Sequence, residues 1–163
     1  MPDIARQIHK ILIRKEETIA VAESCSGGLL SSLLTRFSGS SRYFMLGIVA
    51  YSNEAKKNVL KIPSCLIAKY GAVSGPVAVA MAEAVKKIAK ADFGIGITGI
   101  AGPTGRTPAQ PTGTVFIAVA NKNKTICEKY HFKGNRASVR KKSAVVALQL
   151  LKKFYKPLLA GDL

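Results

Sequence analysis

The chain has 163 residues, 48% of them hydrophobic, which is the size and composition of one folded domain with a full core rather than of a disordered chain. It carries 25 Lys and Arg against 9 Asp and Glu, a net charge of +16, with two histidines and three widely spaced cysteines. These counts argue against a disulfide framework, a zinc cluster and a multi-histidine metal site. We therefore expect no metal and no cofactor that depends on one.

The chain shows no membrane or export signal. No apolar run approaches the roughly 20 residues that cross a bilayer. The first ten residues, MPDIARQIHK, lack the basic and then apolar order of a secretory signal. We expect a cytoplasmic protein without a membrane partner.

Hydrophobic periodicity predicts helices and strands in alternation. In chain order, helices are expected at 3–15, 29–37, 53–60, 64–70, 75–90 and 136–155, with Asn53, Ser74 and Asn135 as helix caps. Strands are expected at 18–22, 43–51, 93–98, 114–120 and 125–132, the last two forming a hairpin. This order predicts an α/β fold, a three-layer α/β/α sandwich with a mixed, mostly parallel sheet, in a single domain over residues 1–163.

The segment AESCSGG, residues 22–28, lies between a predicted strand and a predicted helix. It could cap the helix through Ser24 or Ser26, hold an anion on backbone N–H groups, or supply a nucleophile. Ordinary capping is the simplest interpretation. For Cys25, packing as a small buried hydrophobic group is more common than reactivity.

A serine nucleophile needs a base, and neither histidine is well placed to be one. Lys56, in YSNEAK after the second predicted strand, is the strongest candidate. A lysine acts as a base when burial or nearby positive charge lowers its pKa. The alternative is a solvent-facing helix lysine, which is the expected state of its neighbour Lys57.

Two further motifs have weaker meanings. GIGITG, residues 94–99, matches a dinucleotide-binding pattern but lies inside a predicted strand, so we discount it. Arg136 and Arg140 are four residues apart on one helix face and could hold a phosphate or carboxylate, or could simply be solvated.

The +16 charge raises the question of nucleic acid. The lysines are dispersed over predicted helix faces and turns, with no basic tail, no block of five like charges and few aromatic residues between them. We therefore do not expect a specific nucleic-acid partner, although a small anionic ligand would benefit from the same field.

Five ordered segments resemble the C-terminal domain of the CinA (competence/damage-inducible) family: AESCSGGLLSSLLT, GIVAYSNEAKKNVL, YGAVSGPVAVAMAEA, GITGIAGPTGRTPAQPTGTVFIAV and FKGNRASVRKKSAVVAL. The resemblance covers residues 18–154. It does not include the N-terminal domain that such proteins often carry, so we expect a stand-alone version. Enzymatic members are nicotinamide-nucleotide amidohydrolases, which convert nicotinamide mononucleotide to nicotinate mononucleotide and ammonia in pyridine-nucleotide salvage, without a cofactor.

The resemblance implies a role for each motif residue. Ser24 corresponds to the nucleophile and Lys56 to its base, with Tyr51 placing the lysine or the pyridine ring. The implied substrate-binding residues are Ser26, Gly27, Gly28, Asn53, Gly99, Ala101, Gly102, Arg136 and Arg140. Among these, the N–H groups of residues 26–28 would stabilise an oxyanion. Arg136 and Arg140 would hold the phosphate, and a homo-oligomer is expected.

Three positions depart from the usual family pattern. Gly75, Thr104 and Asn135 stand where acidic residues are usual. Because these three carboxylates are absent, an alternative remains open, in which the chain is a catalytically degraded binding or regulatory protein linked to competence or DNA damage. A hydrolase acting on a different amide or nucleotide is a third possibility.

Overall fold

The structure is a computed structural model, and it describes residues 3–155. Its six helices in that range are α1 (Ile4–Lys15), α2 (Leu29–Leu34), α3 (Asn53–Asn58), α4 (Ser64–Tyr70), α5 (Gly75–Ala89) and α6 (Arg136–Lys152). The strands are β1 (Ile19–Glu23), β2 (Phe44–Val49), β3 (Phe93–Gly99), β4 (Thr114–Ala120) and β5 (Thr125–His131). Two 3-10 helices cover Ser40–Arg42 and Lys153–Tyr155.

The five strands form one mixed sheet in the order β2-β1-β3-β4-β5. β1 pairs in parallel with β2 and with β3, whereas β3–β4 and β4–β5 are antiparallel. Four strands therefore run in the same direction and β4 runs against them. The predicted mostly parallel mixed sheet is confirmed.

Helices cover both faces of the sheet. One core contains apolar residues of α1, α2 and α6 against β1, β3 and β4. On the other face, α5 and α4 pack over β1 and β2, and α5 also covers β4. These three layers confirm the predicted α/β/α sandwich.

The two glycines inside β3 explain why GIGITG lies in a strand. A Cβ atom on Gly94 would lie 2.1 Å from the backbone oxygen of Ala82, and one on Gly96 would lie 2.2 Å from that of Ala78. The glycines thus let α5 approach the sheet to backbone contact. This motif serves helix–sheet packing, which agrees with the expectation that it is not a nucleotide-binding motif.

Two local predictions need correction. α2 ends at Leu34 rather than at residue 37, since the chain then turns into the loop and 3-10 helix before β2. Ser52, not Asn53, caps α3: its Oγ accepts a hydrogen bond from the N–H of Ala55 at 3.0 Å. The predicted caps Ser74 and Asn135 are confirmed, each accepting from an N–H of its own helix.

Within residues 3–155, every helix is too short or too polar to cross a bilayer.

Candidate active site

A cavity of about 320 Å³ opens at the carboxyl ends of β1 and β3. Parallel strands in such sheets commonly place ligands at this edge. The cavity is lined by Ser24, Cys25, Tyr51, Asn53, Lys56, Ala72, Val73, Thr98, Gly99, Ile100, Ala101, Gly102, Thr104, Gly105 and Arg136. Eight of the twelve residues predicted for the site are among them.

Ser24 and Lys56 are in direct contact. The Nζ atom of Lys56 lies 3.1 Å from Ser24 Oγ, 2.9 Å from the carbonyl oxygen of Ala50 and 3.4 Å from that of Tyr51. The two carbonyls accept two hydrogens from Nζ. A neutral amine then has its lone pair left for the hydroxyl hydrogen of Ser24, which is the arrangement of a general base.

Burial controls the protonation of Lys56. The residue is only 2% exposed, and ion pairs within residues 3–155 do not include it. Removal from water disfavours the charged form, so burial lowers the pKa of Lys56 below the ordinary lysine value. Lys57 instead pairs with Glu54 at the surface, as the sequence led us to expect.

Cys25 is unsuited to be the nucleophile. It is 5% exposed, and burial raises the pKa of its thiol to about 12. Since the thiolate is the reactive form, this thiol is inert at neutral pH. The expectation that Cys25 packs as a small hydrophobic group is confirmed by its place in the core.

Glu23, which the sequence prediction missed, organises the turn before α2. Its carboxylate is fully buried and accepts hydrogen bonds from the N–H groups of Gly28, Leu30 and Ser31 and from Ser31 Oγ, at 2.7–3.1 Å. The anion held at this helix start is therefore part of the chain itself. The only signal in the sequence was an acidic residue at the end of a buried strand.

This arrangement changes the predicted roles of the turn glycines. The N–H of Gly27 donates to the carbonyl of Ser24, and that of Gly28 donates to Glu23. Neither is free for an oxyanion in this geometry, so that expectation is not supported for Gly27 and Gly28. Among the described residues the N–H of Ser26 has no backbone acceptor, but Ser26 is fully buried and does not line the cavity.

Arg140 lies outside the cavity lining. Its guanidinium donates to the carbonyl oxygen of Ser26 at 3.2 and 3.3 Å. A Cβ atom on Gly27 would come within 2.9 Å of the same guanidinium. The geometry therefore favours support of the turn by Arg140 over the predicted phosphate contact, and a glycine at 27 leaves room for it.

Tyr51 and Arg136 lie together at the mouth of the cavity. Arg136 donates to the phenol oxygen of Tyr51 at 2.7 Å and to the carbonyl of Gly102 at 3.0 Å. Tyr51 contacts Lys56 through its backbone carbonyl, not through its ring. The residue is 56% exposed, and its ring lies at the cavity mouth rather than against the lysine.

The remaining predicted residues, Asn53, Gly99, Ala101 and Gly102, line the cavity wall. Thr98 and Thr104 line it as well and were not predicted. Thr98 Oγ1 donates to the carbonyl of Ala72, which joins the end of β3 to the segment before α5. Within residues 3–155, no three His, Cys, Asp or Glu side chains are grouped as a metal site would require.

Comparisons with known proteins agree on one family. A family model described as the CinA C-terminal domain matches residues 2–155. A CinA-like protein of Syntrophus aciditrophicus is 46% identical over 145 residues, and one of Koribacter versatilis is 50% identical over 136. These alignments cover 88% and 83% of this chain but 34% and 33% of the relatives, so the chain spans about a third of their length.

Two solved structures share the fold along nearly all of their length. The competence damage-inducible protein A of Klebsiella pneumoniae is 30% identical with a TM-score of 0.89, covering 98% of this chain and 97% of that one. A competence/damage inducible protein of Agrobacterium tumefaciens is 31% identical with a TM-score of 0.91, covering 94% of each chain.

Proposed function

Because the chain belongs to the CinA C-terminal domain family, we propose that it is an amidohydrolase that converts nicotinamide mononucleotide to nicotinate mononucleotide and ammonia. The observation that carries this proposal is the buried contact between Ser24 Oγ and Lys56 Nζ at the base of the cavity. A buried lysine of lowered pKa beside a serine hydroxyl is suited to activate that hydroxyl toward a carbonyl.

The reaction proceeds in two halves. Lys56 takes the proton of Ser24 Oγ as the oxygen attacks the carboxamide carbon. The protonated lysine then gives that proton to the departing nitrogen, the C–N bond breaks, and ammonia leaves an ester on Ser24. Water attacks the ester with Lys56 again as base, and the proton returns to Ser24 Oγ as the carboxylic acid is released.

The charge of the cavity supports an anionic substrate. Its lining contains one residue that stays cationic, Arg136, and no carboxylate. Arg136 lies at the mouth, where its guanidinium can exchange the phenol of Tyr51 for a phosphate oxygen. Thr104 also lines the cavity, at a position where the family resemblance implies an acidic residue, and as a neutral side chain it brings no negative charge.

The proposal is tested by ammonia release from nicotinamide mononucleotide. We expect release by the wild-type protein, with a loss of at least about 1000-fold in kcat for Ser24→Ala and Lys56→Met, because each removes a group that acts at the reacting atoms. Lys56→Met keeps the buried volume, and the far-ultraviolet circular dichroism of each variant shows that it is folded.

Matched controls lie close by in the chain. Ser32→Ala changes an exposed serine of α2, and Lys57→Met changes the neighbouring surface lysine. Both should retain wild-type activity. A folded wild-type protein that releases no ammonia would contradict the proposed substrate, and full activity in Ser24→Ala would contradict the proposed nucleophile.

A further inference from the structure

A second, larger concavity lies at the other end of the sheet. It has a volume of about 880 Å³ and is bounded by the last turn of α5 and the β4–β5 hairpin. Five lysines line this lysine groove: Lys86, Lys87, Lys90, Lys122 and Lys124. They are dispersed in the sequence, and the fold brings them together.

The positive charge of the lysine groove is not neutralised by the chain. The three ion pairs within residues 3–155 involve none of the five lysines. Two carboxylates share the lining, but Asp92 accepts from the N–H and hydroxyl of Thr18, and Glu83 accepts from the hydroxyl of Thr125. The lining thus carries five positive charges against two negative ones.

The walls of the groove are held by their own contacts. Lys86 Nζ donates to the carbonyl oxygen of Asn121 at 2.7 Å, which joins α5 to the hairpin. Lys124 Nζ lies 4.9 Å from the ring centre of Phe154. The other three lysines are exposed, and their Nζ atoms have no partner in the described part of the chain.

The groove is separate from the candidate active site. The cavity lies at the end of β3, near Gly99, whereas the groove lies beside its start, where Ala120 pairs with Gly94. Seven residues of strand separate the two by about 20 Å. The lysine groove therefore has no part in the proposed amide hydrolysis.

The chemistry of the lining favours a chain of phosphates. Lysines are point charges suited to phosphate oxygens, whereas bidentate base recognition is typical of arginine, and the groove has no arginine. No aromatic residue lines it for base stacking, and no large apolar residue lines it for insertion into a membrane. The sugar–phosphate backbone of a duplex projects as a ridge, and this shape fits the concave surface of the lysine groove.

We propose that the lysine groove binds the phosphate backbone of nucleic acid, without reading its sequence. This differs from the sequence expectation that nucleic acid is an unlikely partner, which depended on the dispersal of the lysines along the chain. Five phosphate contacts correspond to a slope of about −4.5 for the logarithm of the binding constant against the logarithm of salt concentration.

The test measures binding of fluorescein-labelled duplex DNA by anisotropy over a series of NaCl concentrations. The groove variant is Lys87→Gln, Lys90→Gln and Lys122→Gln combined, which leaves Lys86 and Lys124 and their contacts in place. We expect the slope to fall to about −1.8, with equal wild-type affinity for two duplexes of unrelated sequence.

A matched control removes the same charge elsewhere. Lys10→Gln, Lys61→Gln and Lys141→Gln combined changes three exposed lysines outside the groove and the cavity, and it should keep the wild-type slope. An equal loss in this control would overturn the proposal, since overall charge would then explain binding. Absence of duplex binding would also overturn it, as would binding only to inorganic polyphosphate or to phosphatidylserine vesicles.

Discussion

At the scale of single residues, the proposed chemistry depends on the charge of Lys56. Burial lowers its pKa in the folded protein, so between that value and the ordinary 10.5 the unfolded chain binds more protons. The free energy of unfolding must therefore rise with pH across this window. This added stability is lost again as pH falls through the folded-state pKa.

We predict that this increment is missing from Lys56→Met. Denaturant titrations of both proteins at a series of pH values should give a wild-type-minus-variant difference that increases with pH. Taking the difference removes the contributions of Tyr43, Tyr130 and Tyr155, whose pKa values are also shifted. A difference independent of pH would show that Lys56 titrates as an ordinary lysine.

Cys25 gives a second prediction at this scale. Because its thiol is buried and its pKa is raised to about 12, iodoacetamide at neutral pH should modify it at least about 100-fold more slowly than the exposed Cys65. Peptide mass spectrometry of the intact folded protein measures both rates. Equal rates would indicate that the turn opens readily, and Cys25 in urea serves as the fully accessible reference.

Residue by residue, the sequence was informative where a motif carried the chemistry itself. Lys56 could be proposed as a base because YSNEAK follows a strand, whereas the choice of Ser24 over Ser26 as nucleophile came from the family resemblance. Glu23 could not be predicted, because its function depends on which N–H groups the folded turn aims at it. The position of Arg140 likewise depends on how α6 lies across the turn.

Among the elements, the start of α2 depends on a single side chain, Glu23. The helix has six residues, too few to be stable alone, and its start is bound by the Glu23 carboxylate rather than by a cap at Gly28. Glu23 thereby also fixes the turn that carries Ser24.

We predict that Glu23→Ala lowers the free energy of unfolding by roughly 3 kcal/mol or more, because it leaves several buried N–H groups without an acceptor. Glu23→Gln should lower the free energy of unfolding by less, and this variant should still fold. It should lower kcat with little change in KM, since the turn carrying Ser24 would shift. Urea denaturation and steady-state kinetics measure the two effects. Ser31→Ala, which removes only one donor, should cost about 1 kcal/mol; an equal cost for Ser31→Ala and Glu23→Ala would contradict this account.

The contact of α5 with β3 gives a prediction at the same scale. Gly94→Ala and Gly96→Ala should each destabilise the protein by about 2 kcal/mol or more, because the added Cβ would overlap the helix backbone. Gly75→Ala is the matched control: at the start of α5 the nearest atoms to an added Cβ are 3.7 Å away, so the change should be neutral or slightly stabilising. Thermal unfolding orders the three variants, and similar losses in all would count against close packing as the cause.

Periodicity predicted the presence and type of the helices and strands more reliably than the residues at which they end. β4 and α4 have the expected bounds because alternation and flanking turn residues mark them on both sides, whereas β5 ends at His131, one residue before the predicted end. The cap of α3 differs from the prediction because Ser52 and Asn53 are equally good capping residues, and only the fold decides between them.

For the molecule as a whole, the large net charge should oppose folding. Within residues 3–155 the three ion pairs are at the surface and leave most lysines without a partner carboxylate. We predict that raising NaCl from low to physiological concentration increases the free energy of unfolding by about 1 kcal/mol, because salt screens this repulsion.

The measurement is urea denaturation at several NaCl concentrations. The groove variant, with three fewer positive charges, should show a smaller increase than the wild type. A fall in stability with salt would mean that the few ion pairs outweigh the repulsion.

The arrangement of charge over the whole molecule could not be predicted from the sequence. Lys86 and Lys122 are 36 positions apart, and their convergence requires β4 to run antiparallel to β3 so that the hairpin reaches the end of α5. The order of the layers was easier to predict from the sequence, because alternating helices and strands leave few arrangements that bury every apolar face.

The two concavities lie at opposite ends of β3, so a molecule held at one of them leaves the other exposed. A surface that captures the protein through the lysine groove, such as a heparin or cation-exchange resin, would orient every molecule with the mouth of the cavity toward the mobile phase. Immobilised preparations of this kind would keep Ser24 and Lys56 accessible to small amides flowing past them, without an added tag.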